Sequence, residues 1–248
     1  MFCNAMKAII APTWKRLVWY LAMEEYLAAN VKEDTFFLWI VRPTVIFGRH
    51  QVMENEVNIP YCEANGIEMY RRKSGGGCVY ADEGNLMVSY ISPSPHSEQV
   101  FAHYMEFMSG ALRKMGYPAV TTEHNDILVE GRKVSGTACF ALPQSTIVHA
   151  TLLWQVNFNR LQQAITPPPE KLAKHGVESV RQRVVNLCTI QQDTDLRRTP
   201  AISSMSDFVK TLTGLLADST DMLPEEAHQA IDAIERTYLD PAFLRPVR

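Results

Sequence analysis

Three observations predict an α+β fold, a mixed or antiparallel β-sheet flanked by helices. Short β-type runs follow one another without the regular strand–helix alternation of a wound parallel sheet. Between two of them lies one long helical pattern, in which Val100, Tyr104, Phe107, Met108, Ala111, Leu112 and Met115 recur at helical spacing. The 248 residues are 46% hydrophobic and 21% charged and show no internal repeat and no linker-like stretch. That composition suits one globular domain over residues 1–248, with a helical tail from about residue 200.

Taken in order, Trp14–Asn30 reads as a helix whose stripe is Leu17, Leu21, Met23 and Leu27, with Glu24 and Glu25 beside it. Phe36–Val41 is a nearly all-apolar strand, broken by Arg42 and Pro43, and Thr44–Phe47 is a second. Gly48–Gln51 forms a polar turn, and Tyr61–Asn65 a short helix closed by Gly66. Ile67–Arg72 is a strand that runs into Ser74-Gly75-Gly76-Gly77 and returns to β-type residues at Val79 and Tyr80. Asp82–Asn85 is a turn, Leu86–Ile91 a strand and Pro93–Pro95 a loop. Ser97 caps the long helix, which Gly116 stops. Ile127–Val129 and Arg132–Val134 pair around Glu130-Gly131, and Ser135-Gly136 is expected to break the second strand tightly. Ile147–Trp154 is another apolar strand and Asn157–Ala164 a short helix. Pro167–Pro169 forces an extended segment, Arg181–Leu187 alternates weakly, and Ser204–Ala217 and Pro224–Tyr238 are amphipathic helices.

The stretch with most chemistry is Arg71–Tyr80. Three glycines allow positive φ and close approach of a ligand, and their N–H groups can form an anion nest beside two guanidinium forks. The spacing matches neither a Walker loop nor a dinucleotide fingerprint. A formal net charge of -3 argues against general nucleic-acid binding. Seven histidines include no pair at metal-ligand spacing. Five cysteines (3, 62, 78, 139 and 188), an odd number with no C-x-x-C, fit reduced thiols in a cytoplasmic protein. No signal peptide and no membrane-spanning run is expected. No Ser-His-Asp or Cys-His arrangement is evident from spacing, and His149 among apolar residues reads as a hydrogen-bonded core histidine.

The ordered motifs resemble the lipoate–protein ligases, relatives of the biotin–protein ligases. They are Leu21-Ala22-Met23-Glu24-Glu25, then Gly48-Arg49-x-Gln51 with Glu56 and Asn58. Arg71-Arg72-x-x-Gly75-Gly76-Gly77-x-Val79-x-x-Asp82-x-Gly84-Asn85 follows, then Asn125-Asp126 and Arg132-Lys133-Val134-Ser135-Gly136-Thr137-Ala138. The run ends with His149-x-Thr151-Leu152-Leu153, Lys171-Leu172, Gly176, Ser179-Val180, Arg183-Val184 and Asn186-Leu187. The resemblance implies a biotin/lipoate ligase catalytic-domain fold and a two-step reaction. Lipoate and ATP give lipoyl-AMP and pyrophosphate, and a lysine on an acceptor protein then takes the acyl group. Implied acceptors are apo lipoyl domains of 2-oxo-acid dehydrogenases and the glycine-cleavage H protein.

Residue by residue, the resemblance implies Lys133 as the catalytic amine. It implies Arg72, Gly76, Gly77, Cys78, Val79, Tyr80 and Lys133 at the nucleotide. It places Arg71, Lys133, Ser135, Gly136, Ala138 and His149 at lipoate, and Asp126 at Mg2+. Two departures are small: Ala81 stands where many members have histidine, and Ala150 where glycine is usual. The accessory C-terminal domain of many bacterial ligases is expected to be absent, its role falling to a separate accessory subunit, to preformed lipoyl-AMP, or to this chain alone. Rival readings are an ATP-independent octanoyl or lipoyl transferase working through Cys78 or Cys139, and a non-catalytic lipoate-binding regulator.

Overall fold

The computed structural model describes residues 6–123, 125–165, 184–190 and 202–245. The expectations at Pro167–Pro169, Lys171-Leu172, Gly176, Ser179-Val180, Arg181 and Arg183 lie outside those residues.

Eight strands form the main sheet. They are β1 (Lys7–Ile10), β2 (Thr35–Trp39), β6 (Asn85–Ser92), β7 (Ala119–Thr121), β8 (Asp126–Val129), β9 (Arg132–Ala141), β10 (Thr146–Leu153) and β11 (Ser219–Met222). Their order is β11-β1-β2-β6-β10-β9-β8-β7. β1 runs parallel to β11 and β2, and every other pair is antiparallel. A second sheet sets β3 (Thr44–Phe47) between β4 (Glu68–Arg71) and β5 (Val79–Ala81), parallel to the first and antiparallel to the second. The mixed sheet expected from the sequence is therefore present.

Side-chain alternation divides the main sheet into two faces. One packs Val88, Val148, Leu152 and Trp154 against α4 (Ser97–Lys114) and α6 (Met205–Leu216). Those helices present Tyr104, Met108, Leu112 and Phe208, all fully buried. The other face packs Phe37, Trp39, Met87, Ile91 and Ile147 against α1 (Leu17–Asn30) and α7 (Ala227–Leu239). α1 is buried from Leu17 through Glu24, because sheet and helix enclose it from both sides. A third cluster under the small sheet gathers Val45, Phe47, Tyr80 and Val156, next to α2 (Met53–Glu56), α3 (Ile59–Ala64) and α5 (Phe158–Ala164). The tail adds α8 (Pro241–Leu244). Among the described residues no helix is long and apolar enough to cross a membrane.

Several boundaries move. The first helix begins at Leu17, because Trp14 takes a left-handed φ of 61° and Arg16 is extended. α3 starts at Ile59, where the Asn58 side chain accepts from the Tyr61 amide. The expected break at Ser135-Gly136 does not occur. β9 runs unbroken from Arg132 to Ala141, with Gly136 paired to Thr151 on β10 and to Asp126 on β8. β9 does carry a bulge just before that point: Ile127 pairs with Ser135 but Leu128 pairs with Lys133, so Val134 is the extra residue.

Phe208 is fully buried and stacks on Trp154 at 4.9 Å. Phe208→Ala is expected to cost about 3–5 kcal/mol in urea unfolding; a loss below about 1 kcal/mol would show that α6 is not part of the core.

Candidate active site

The turn between β4 and β5 is built around a buried guanidinium. Arg72 is 5% exposed. Its Nε donates to Ser74 Oγ and to the Gly75 carbonyl, both at 3.1 Å, and its Nη2 donates to the Gly75 and Gly77 carbonyls at 2.7 Å. Nη1 reaches the Ile46 carbonyl on β3 at 3.3 Å. Burial holds the Arg72 guanidinium down to about 10, so it stays cationic at neutral pH. With the loop carbonyls turned in to this cation, the exposed Gly75, Gly76 and Gly77 amides donate to no acceptor among the described residues. Gly76 has a φ of 90°, and a Cβ there would stand 2.9 Å from Arg72 Nη2. The loop rests on the Gly48 turn so closely that a Cβ at Gly48 would lie 2.2 Å from the Gly76 carbonyl oxygen. Outward amides over a buried cation are the arrangement of an anion nest.

Lys133 lies on β9. Its Nζ is 2.7 Å from Asp126 Oδ1, with both side chains about a third exposed. Asn125 holds that corner by exchanging bonds with the Thr137 backbone, donating from Nδ2 at 2.7 Å and accepting at its carbonyl at 2.9 Å. The lysine folds over Gly136, where a Cβ would meet both Cε and Nζ at 2.9 Å. The glycine expected to break the strand is instead the space in which the amine lies. Gly136 pairs with Thr151, and Ala138 with His149, on the sheet face that packs against α1. Thr151 and His149 are alternate residues of β10, so they share that face, roughly 7 Å apart.

His149 joins the two halves. Its Nε2 is 2.7 Å from Ser74 Oγ, and its Nδ1 is 3.2 Å from Glu24 Oε2. Glu24 is 3% exposed, and its other oxygen accepts from Ser89 Oγ at 2.5 Å, which in turn accepts from Trp39 Nε1 at 2.8 Å. A Ser-His-Glu arrangement therefore exists where spacing gave no hint, since positions 24, 74 and 149 sit on three distant segments. It is not built as a nucleophile. Ser74 is 3% exposed and its oxygen already accepts from Arg72, leaving its hydrogen for His149 Nε2. The imidazole bridges that hydroxyl and the Glu24 carboxylate. The row is a hydrogen-bond wire from a buried cation to a buried carboxylate.

The other expected site residues divide. Gly76 and Gly77 are exposed on the loop, with Cys78 and Val79 half-buried after it. Gly136, Ala138 and His149 share one sheet face, with the Lys133 amine lying over Gly136. Tyr80 is 1% exposed within the third cluster, so it offers a ligand only its backbone on the outer strand of the small sheet. Ser135, expected at lipoate, pairs with Leu152 and faces the α4 side, the opposite face from Gly136. Arg71, also expected at lipoate, is 4% exposed and donates to the carbonyls of Gly48, Arg49, Gln51 and Leu244. Asp126, expected at a metal, is paired with Lys133, and no group of three or more metal-ligating side chains exists among the described residues. Glu24, Ser74 and Ser89 were missed; a carboxylate inside the apolar stripe of α1 was the available signal.

The family model for the lipoyl protein ligase A/B catalytic domain matches residues 18–210. Lipoate–protein ligase 1 of Staphylococcus aureus is 38% identical over 170 residues, covering 67% of this chain and 52% of that protein. Lipoate–protein ligase LplJ of Bacillus subtilis is 35% identical over 176 residues, covering 70% and 53%. The chain thus spans about half the length of these curated relatives. A solved bi-partite lipoate protein ligase from Thermoplasma acidophilum superposes with a TM-score of 0.78 at 23% identity, over 97% of this chain and 95% of that one.

Thiol chemistry finds no activated sulfur near the loop. Burial, with the Glu56 carboxylate adding and Arg72 opposing, pushes the Cys78 thiol up to about 12, and burial also raises Cys139. At pH 8 a thiol near 12 is roughly one part in ten thousand thiolate. Cys78 is therefore expected to react with iodoacetamide at least about tenfold more slowly than free cysteine, by peptide mass mapping; an equal or faster rate would restore the cysteine-transferase reading.

Proposed function

The chain belongs to the lipoyl protein ligase A/B catalytic-domain family, and we propose that it carries the active site of an ATP-dependent lipoate–protein ligase. The observation that carries this reading is the link between the glycine loop and Lys133: His149 bonds Ser74 at the loop's start, and it stands on the same sheet face as Gly136, over which the Lys133 amine lies. The loop offers outward amides, and the lysine offers the positive charge. A carboxylate is a poor electrophile and must be activated, and nucleotidyl transfer asks for positioning and charge neutralisation more than covalent help.

In the first step the lipoate carboxylate attacks the α-phosphorus of ATP, and pyrophosphate leaves. The loop amides receive phosphate oxygens, and Arg72 from beneath keeps those amides facing out. Lys133 neutralises charge on the oxygens that the acyl and phosphoryl groups share. In the second step the ε-amine of an acceptor lysine attacks the acyl carbon, the bond to phosphate breaks, and AMP departs. The same ammonium then stabilises the tetrahedral oxyanion, an interaction stronger in the transition state than in the ground state. Asp126 holds the ammonium in place while no phosphate is bound. The acyl chain would lie along Gly136, Ala138 and His149, beside the apolar face under α1.

Asp126 is the residue that would hold magnesium. One carboxylate fits an ion that keeps water and phosphate oxygens as its other ligands, and the ion would supply charge neutralisation. The acceptors proposed are apo lipoyl domains of 2-oxo-acid dehydrogenases and the glycine-cleavage H protein.

Incubation with lipoate, ATP, magnesium and an apo lipoyl domain is expected to give pyrophosphate and an acylated acceptor, read by mass spectrometry. Acylation only from supplied lipoyl-AMP would remove the adenylation step from the reading, and none from either source would defeat it. Lys133→Ala is expected to lower turnover about 100-fold or more without shifting the unfolding midpoint. Gly136→Ala keeps the lysine but evicts its head group, and is expected to lower turnover about tenfold or more; wild-type rates in both variants would sink the role given to the amine.

A further inference from the structure

The strand end that leads into the glycine-rich loop is gripped at two residues by the C-terminal helices, to which the ligase reading gives no part. On the upstream flank, Arg71 Nε and Nη2 both donate to the carbonyl of Leu244, the last residue of α8, at 3.2 and 3.0 Å. The same guanidinium gathers the Gly48, Arg49 and Gln51 carbonyls at 3.2, 2.8 and 2.7 Å. That turn is the floor of the loop: the Arg49 amide donates to the Ser74 carbonyl at 3.0 Å, and Gly48 abuts Gly76. One residue beyond Arg72 and still before the glycines, Lys73 Nζ lies 2.8 Å from both Glu25 oxygens and 4.6 Å from the Tyr238 ring centre. Tyr238, buried on α7, donates its hydroxyl to Glu25 Oε1 at 2.5 Å.

We propose that α7 and α8 form a strut that sets the pose of the nucleotide loop, with Arg71 and Tyr238 as positioning residues. A guanidinium that collects carbonyls from two distant segments transmits the placement of one to the other, because a buried carbonyl left unmatched costs about 1–3 kcal/mol. Lysine, with one compact ammonium, cannot bridge the same set. The proposal rests on the ligase reading only for the identity of the ligand that feels the loop.

The test uses the full chain with Arg71→Lys and, separately, Tyr238→Phe, which keeps the ring under Lys73. In each variant the KM for ATP is expected to rise roughly fivefold or more, while the KM for lipoate stays within about twofold. Hydrogen exchange at the Arg49 and Arg72 amides is expected to quicken about tenfold, with α4 unchanged. An unchanged KM for ATP overturns the strut, and so does a parallel rise in both KM values, which marks general loosening. If the wild-type chain shows no ATP-dependent acylation, the ligase reading fails by itself. The exchange rates then decide the strut, and unaltered rates overturn it.

Discussion

The site depends on how two opposite charges are buried without touching. Arg72 and Glu24 are 5% and 3% exposed, and neither forms a direct ion pair with the other among the described residues. A lone charge out of water costs several kcal/mol even after relaxation. Here three polar hydrogen-bond links, through Ser74 and His149, connect the cation to the anion, and hydrogen bonds to charged groups contribute about 1.5–3 kcal/mol each. Three loop and strand carbonyls satisfy the rest of the guanidinium, and the Ser89 hydroxyl the rest of the carboxylate. The loop has its shape because the cation draws its carbonyls inward. α1, held on the sheet by its apolar packing, brings its carboxylate to the end of the wire.

The arginine pair has two structural tasks, and in the proposed reading the direct polar contact falls to backbone amides and one lysine. That division has a physical logic. A guanidinium presents several donors in a rigid fork and can hold several segments at once, whereas an ammonium on a flexible stem can follow charge as it moves from phosphate to acyl oxygen. Asp126 keeps that ammonium from wandering, and Gly136 leaves the volume into which it folds.

What the sequence made legible followed from periodicity. The long helix and the central strands carry enough apolar residues in register to declare themselves, and Ile147–Trp154 and Leu86–Ile91 were read within a residue or so of β10 and β6. The edge strands β7 and β11, and β1 beside β11, are three or four residues long with too little alternation to read. Gly136 was misread because a glycine that breaks a strand and a glycine that makes room for a neighbour look alike in sequence. Ser135 was misassigned because strand parity, which sends alternate residues to opposite faces, depends on the bulge beside it. Arg71 and Arg72 are adjacent in sequence, yet their heads serve different segments. The wire was illegible because its members come from a helix, a loop and a strand that only the tertiary fold brings together.

The subdued sulfur at Cys78 has a meaning for the proposed cargo, lipoate. Lipoate carries a strained cyclic disulfide, and any thiolate within reach would open it and leave the acyl group tethered to the enzyme. A thiol pushed up to about 12 is too little ionised to do so. With lipoate as the proposed substrate, the loop would carry a cysteine and remain chemically silent toward a redox-active passenger.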